Sequence, residues 1–242
     1  LRRPSRRGLR TSKMIMFNKL LPLLLVGSCA AAAADDKVKL QFFGEALWPE
    51  CGDFVGKELY PALTTAGISD IVEFTFFPFG NAYYQIKSCP GGAYDHNTRM
   101  CWNAACNQTS APDDCFSGTL ICQHDEPECY ANRVEACAIQ HYPNVTQYLG
   151  FINCYESQNE PSNSTLQQCA NQMNMKSSEL TDCASSKEGL ALDSINAKAT
   201  CLLPGGHAST PWPVLNGVVV QSGLLEAICS AYTGTNKPAT CN

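Results

Sequence analysis

Near its start the chain places a run of helical spacing between two strand-like runs. Val38 to Phe43 (VKLQFF) is short and β-prone. From Pro49 onward Phe54, Val55, Leu59 and Leu63 recur at helical intervals, and Pro49 suits a first helical turn, where its missing N–H costs nothing. Gly67 stops that helix. Ile71 to Phe77 (IVEFTFF), dense in β-branched and aromatic residues, is the best strand in the chain.

Residues 87–117 change character, with Cys89, Cys101, Cys106 and Cys115 among Gly, Asn, Asp and Pro and no usable periodicity. They read as a surface excursion stapled by its own disulfides. From Glu126 to about Ala199 the pattern is mostly helical, with breaks at Pro143, at ESQNEPSNS and near Gly189. The end returns to strands: Pro213 to Leu215 and Val218 to Gln221 flank Asn216-Gly217, a strong two-residue hairpin signal. Leu224 to Tyr232 closes the chain as a helix. The order β-α-β, helical insert (about 122–200), β-β-α is that of an α/β thioredoxin-like fold with a helical block inserted in its middle.

The ends and the charges sharpen this. Lys19, the apolar run Leu20 to Val26 and the alanines ending at Ala34 read as a secretory signal peptide, so residues 1–34 are set apart and 35–242 form the domain. A membrane anchor is the alternative, but Pro22, Gly27 and Ser28 break a run already short for a bilayer; no span is expected in the mature chain. Seven of the 17 Lys+Arg residues and none of the 22 acidic ones lie in that leader. The acidic remainder argues against nucleic acid or anionic membrane as a partner. Fourteen of 15 cysteines lie beyond it, an even number that reads as a disulfide framework in an oxidising compartment. Sequons at Asn107, Asn144 and Asn163 fit a glycosylated lumenal or extracellular protein.

Three stretches could carry chemistry. A thioredoxin fold places C-x-x-C where its first strand meets its first helix, since the helix dipole and free N–H groups there stabilise a thiolate. Here the four residues are Trp48-Pro49-Glu50-Cys51. The exposed, attacking position is a tryptophan; Cys51 holds the inner, resolving position and, without a partner, reads as a buried thiol or a structural half-cystine. In CQHDEPECYANRVEAC (Cys122 to Cys137), Cys122, His124 and Cys129 could suggest a metal, but the spacing lacks a fourth ligand and the compartment favours disulfides. No metal or cofactor is expected. Cys129 and Cys137 lie two helical turns apart, too far to bond to each other, so each is expected to reach another segment. His124 reads as a turn or packing residue. In HASTPWPVLNG the proline preceding the hairpin strand is the candidate for the cis-proline that thioredoxin folds set against their cysteines: Pro211, with Pro213 as competitor.

Together Glu45-Ala46-Leu47 with Pro49 and Cys51, PFGNA at Pro78 to Ala82, the CQH and EC spacing through Cys137, and PW with NG at Pro211 to Gly217 resemble the gamma-interferon-inducible lysosomal thiol reductase family. The resemblance implies a thioredoxin-like fold with a disulfide-bonded helical insertion, lysosomal (or vacuolar) or extracellular delivery, and reduction of disulfides in protein substrates or unfolded polypeptides at acid pH. It carries Cys51 over as the resolving cysteine and Pro211 as the cis-proline, and leaves no nucleophile, because Trp48 stands in its place. Setting aside the excursion's four cysteines and eight matching the family's structural set leaves Cys51 and Cys201. Those two either pair, as a rewired couple or a staple, or remain separate thiols.

Two functions compete. One is a thiol-disulfide oxidoreductase whose reduction is weak or lost, because a thiol with a pKa near 8.5 is less than about one part in a thousand thiolate at pH 5. The other is a redox-inactive binding or chaperone-like module. A third, a secreted cysteine-rich helical scaffold of saposin type, has the terminal β-α-β and the Asn-Gly hairpin against it.

Overall fold

The computed structural model describes residues 37–158 and 162–242; the leader expected over residues 1–34 lies outside them. A four-stranded sheet has the order β2-β1-β5-β6. Strand β1 (Val38–Gly44) runs parallel to β2 (Val72–Pro78) and antiparallel to β5 (Trp212–Leu215), which turns through Asn216-Gly217 into β6 (Val218–Val219). The parallel pair is joined through helix, as parallel pairing requires. Phe42 faces Phe76 across it, 4.8 Å between rings, and stacks on Phe54 of the following helix at 5.4 Å.

That helix is one rod in three pieces, α1 (Pro49–Phe54), a π turn (Val55–Leu59) and α2 (Tyr60–Thr64). The widened turn falls just before Pro61, whose ring and missing N–H cannot be taken by a regular α-helical interior. The short α3 (Ile68–Ile71) leads into β2, and α10 (Leu224–Ala231) packs its buried Leu224 and Ile228 into the same core.

Between β2 and β5 lie the two-residue pair β3 (Tyr83–Tyr84) and β4 (Leu120–Ile121), then α4 (His96–Cys106), α5 (Asp125–His141), α6 (Val145–Glu156), α7 (Asn163–Gln172), α8 (Ser177–Ala184) and α9 (Lys187–Cys201). Helix α4 (His96–Cys106) lies inside the surface excursion, where the sequence shows no usable periodicity. It is capped by Asp95, whose carboxylate accepts from the Thr98 N–H, and it turns Arg99, Trp102 and Cys106 inward. So few apolar residues give no readable period. The break expected near Gly189 falls instead at Ser185-Ser186. Gly189 lies within α9 and marks a close approach rather than a break, since a Cβ there would stand 2.7 Å from the Cys183 carbonyl oxygen.

The excursion closes on itself through Cys89–Cys101 and Cys106–Cys115. Cys137–Cys183 ties α5 to α8, Cys154–Cys169 ties α6 to α7, and Cys229–Cys241 holds the C-terminus. Cys129 departs from expectation: it bonds Cys122, seven residues away, across the start of α5. Among the described residues no helix is long and apolar enough to cross a membrane.

Candidate functional site

The site forms where β1 ends. Gly44 leaves the strand, Leu47 turns in the left-handed region (φ 67°), and Trp48 caps α1, its carbonyl accepting from the N–H groups of Cys51 and Gly52 at 2.9 and 3.2 Å. Positive φ is costly for a branched side chain, so the turn is held by its surroundings. The Ala46 N–H donates to Asn132 Oδ1 at 2.9 Å, pinning the loop to α5.

Cys51 is fully buried. Its sulfur accepts the Glu45 N–H at 3.3 Å, and Thr210, before the cis Thr210–Pro211 bond, lies beside it. Burial, then the nearby Glu156 carboxylate, push the thiol well above its ordinary pKa; the Glu45 N–H and Thr210 act the other way without offsetting them. The helix N-terminus that would lower a thiol pKa presents Trp48 rather than sulfur at its mouth. Trp48 is half-buried and stacks on His124, 5.6 Å between rings at 24°. It borders two depressions of about 450 and 330 Å³, the first reaching Glu156 and Lys57, the second Asn81, Gln123 and Thr210.

The Cys51–Cys201 bridge does not form; both are unpaired and buried. The physical reason is that they occupy different places. Cys201 ends α9 in a second core with Phe79 and Trp102, its thiol 3.8 Å from the Asn103 carbonyl oxygen, and burial raises its pKa to about 11 despite Arg99. Arg99 itself donates to His207 Nε2 at 2.6 Å, linking α4 to the loop before Pro211. Burial and that guanidinium lower the His207 pKa to about 4, so the ring accepts as neutral imidazole. Pro213 lies within β5.

Sequence reasoning missed the carboxylates. Glu128, Asn132 and Glu135 follow i, i+4, i+7 on α5 and share one buried face. Glu128 accepts from the N–H and Nδ1 of His124 at 2.7 and 2.8 Å, and Glu45 Oε1 approaches the same Nδ1 at 3.4 Å. Burial raises Glu45 to about 7 against the Asn81 N–H and Arg99, and raises Glu128 to about 9 with Glu45 adding to it. Gly80, at φ +60°, makes room, since a Cβ there would overlap the Glu45 side chain. Behind Cys51, Glu135 faces Glu156. Burial raises both, Glu156 to about 8. Three polar residues at helical spacing among Ala, Val and Cys were the readable signal. Their partners, Glu45 and Glu156, lie too far along the chain to be paired by pattern.

The Cys122, His124, Cys129 trio is no metal set, because both sulfurs are in one disulfide. The sequon residues Asn107, Asn144 and Asn163 are exposed. Asn144 caps α6 through Oδ1, which leaves its Nδ2 available for a glycan.

A family model described as "Gamma interferon inducible lysosomal thiol reductase (GILT)" matches residues 39–173. The chain is 28% identical over 238 residues to "Gamma-interferon-responsive lysosomal thiol protein" of Arabidopsis thaliana, spanning 96% of this chain and 86% of that one. It is 27% identical over 210 residues to "Gamma-interferon-inducible lysosomal thiol reductase" of Mus musculus, spanning 85% and 72%. Among solved structures, oxidised BdbD from Bacillus subtilis superposes with a TM-score of 0.51 at 13% identity, over 84% of this chain and 91% of that one. The last likeness shows the fold, which is thioredoxin-like.

Proposed function

Because the chain belongs to the gamma interferon inducible lysosomal thiol reductase family, we propose that it is a thiol-disulfide oxidoreductase-like protein of the secretory pathway whose disulfide reduction is weak or lost. One observation carries the reading: Cys51, among the described residues the only thiol at the site, is fully buried with a raised pKa, and the attacking position holds Trp48. Reduction needs an exposed thiolate to attack a substrate sulfur, expel the other as thiolate and form a mixed disulfide, which a second thiolate resolves. An inner thiol alone performs neither step efficiently. Six disulfides, three exposed sequons and relatives named as lysosomal support delivery to a lysosomal, vacuolar or extracellular compartment.

The half-buried ring of Trp48 between two depressions favours a second role, binding unfolded or disulfide-bonded polypeptide without exchange. An aromatic at such a rim offers apolar area at low entropic cost. The test is trapping at pH 5 with an unfolded, disulfide-bonded polypeptide and the same polypeptide reduced and alkylated. The expected result is no mixed disulfide, equal binding of both forms, and at least a roughly fivefold loss of binding in Trp48→Ala. A mixed disulfide through Cys51 overturns the reading.

A further inference from the structure

We propose that Glu45, His124 and Glu128 form a binding site for a divalent transition cation of the zinc class. Their ligand atoms all lie within 4.8 Å of one another. The two glutamates are 0% exposed, and each has one carboxylate oxygen, Oε1, without a hydrogen-bond partner. Two buried carboxylates with unsatisfied oxygens are a strong demand for positive charge. Within the site that demand is met only by one imidazole; Arg99 acts on Glu45 through space while its guanidinium is engaged by His207.

The donor set suits the ion. One imidazole nitrogen and two carboxylate oxygens match zinc chemistry, in which three protein ligands leave one position open. Ligand atoms at about 2.1 Å from a tetrahedral ion stand about 3.4 Å apart. The Glu45 Oε1 to His124 Nδ1 distance is 3.4 Å, whereas Glu128 Oε2 to Nδ1 is 2.8 Å, a hydrogen bond that the ion would replace. A divalent ion also neutralises both carboxylates together.

The surroundings already orient the ligands. Asn81 N–H donates to Glu45 Oε2 at 2.7 Å, which leaves Oε1 toward His124. His124 N–H donates to Glu128 Oε2 at 2.7 Å, and Trp48 stacks on the imidazole. Such outer contacts fix ligand orientation in metal sites. His124 is the partly exposed member, 33% at its side chain, and gives the ion its way in. A second cluster, His141, Cys183 and Glu188, lacks a thiolate because Cys183 is bonded to Cys137.

The test is equilibrium dialysis of the mature glycosylated chain against micromolar Zn²⁺ at pH 7, with metal counted per chain, and long-range ¹H–¹⁵N spectra of the imidazoles. The expected result is one Zn²⁺ per chain, a shift of the His124 Nδ1 resonance, and affinity at least roughly tenfold weaker in both His124→Ala and Glu128→Gln, with His141→Ala unchanged. Glu128→Gln keeps the side chain's shape and so tests the site if His124→Ala fails to fold. Less than stoichiometric binding, an unmoved His124 resonance, or loss on His141→Ala alone overturns the proposal.

Discussion

The sheet and the insert are held together by different means. Residues 38–78 contain one cysteine, the unpaired Cys51, and cohere through Phe42, Phe54, Phe76, Leu40 and Leu59, all buried. Of the six disulfides among the described residues, five lie within residues 83–201. There helix α5 buries mostly small residues, among them Ala131, Ala136 and Ala138, together with polar Glu128, Asn132 and Glu135. Small side chains remove little apolar area from water, so around α5 cross-links add to the packing that the buried Tyr148, Phe151 and Tyr155 of α6 supply. The site lies on the seam: its loop comes from the sheet, and the groups that pin and surround it come from α5 and α6.

The largest effect should come from the sheet's aromatic centre. Phe42→Ala is expected to cost about 3–5 kcal/mol, read as a shifted urea midpoint under non-reducing conditions that leave the disulfides intact. Removing Cys137–Cys183 with paired alanines opens a 46-residue separation and should cost about 4 kcal/mol, whereas removing Cys122–Cys129, seven residues apart, should cost about 2 kcal/mol. If Phe42→Ala proves milder than loss of the short Cys122–Cys129 loop, the contrast between the two regions fails.

The seam gives the next effect. Glu135 and Glu156 keep protons in the folded state at pH values where the unfolded chain has lost them. Between the ordinary carboxyl pKa of 4.5 and about 8 the folded state therefore binds more protons, and stability falls as pH rises. It is fully present below about pH 4.5. Glu45, Glu128 and Asp193 are shifted in the same direction. The melting temperature should thus be highest at acid pH and decline toward pH 8, with a flatter decline in Glu156→Gln. A melting temperature that rises from pH 5 to pH 8 would contradict the burial of these carboxyls. Smallest is the hairpin. Gly217 has φ +84°, so Gly217→Ala should cost about 1 kcal/mol without touching the site.

The sheet was legible because each of its elements declares itself locally: IVEFTFF as a strand, Asn-Gly as a turn, Pro49 as a helix start. The insert's helices were legible as a block, but not α4, whose inward face is Arg99, Trp102 and Cys106, nor the place of Gly189, which is set by the Cys183 carbonyl rather than by a helix end. At the site, Trp48, Cys51 and Pro211 could be named from their local setting. Glu45 meeting Glu128 and Glu135 meeting Glu156 are contacts between distant segments with no short-range trace. The separation of Cys51 from Cys201 is likewise decided by which core each helix enters.

The central claim is that replacing the exposed sulfur by Trp48 disables reduction while the rest of the site stays in place. Its most direct test is the rate of reduction of a denatured, disulfide-bonded protein at pH 5 by the parent chain, Cys51→Ser and Trp48→Cys. The account predicts that the parent and Cys51→Ser are alike and near background, and that Trp48→Cys gains at least about a hundredfold over them, since a thiol at the helix mouth has its pKa lowered into the reactive range. Parent activity that Cys51→Ser abolishes would contradict it.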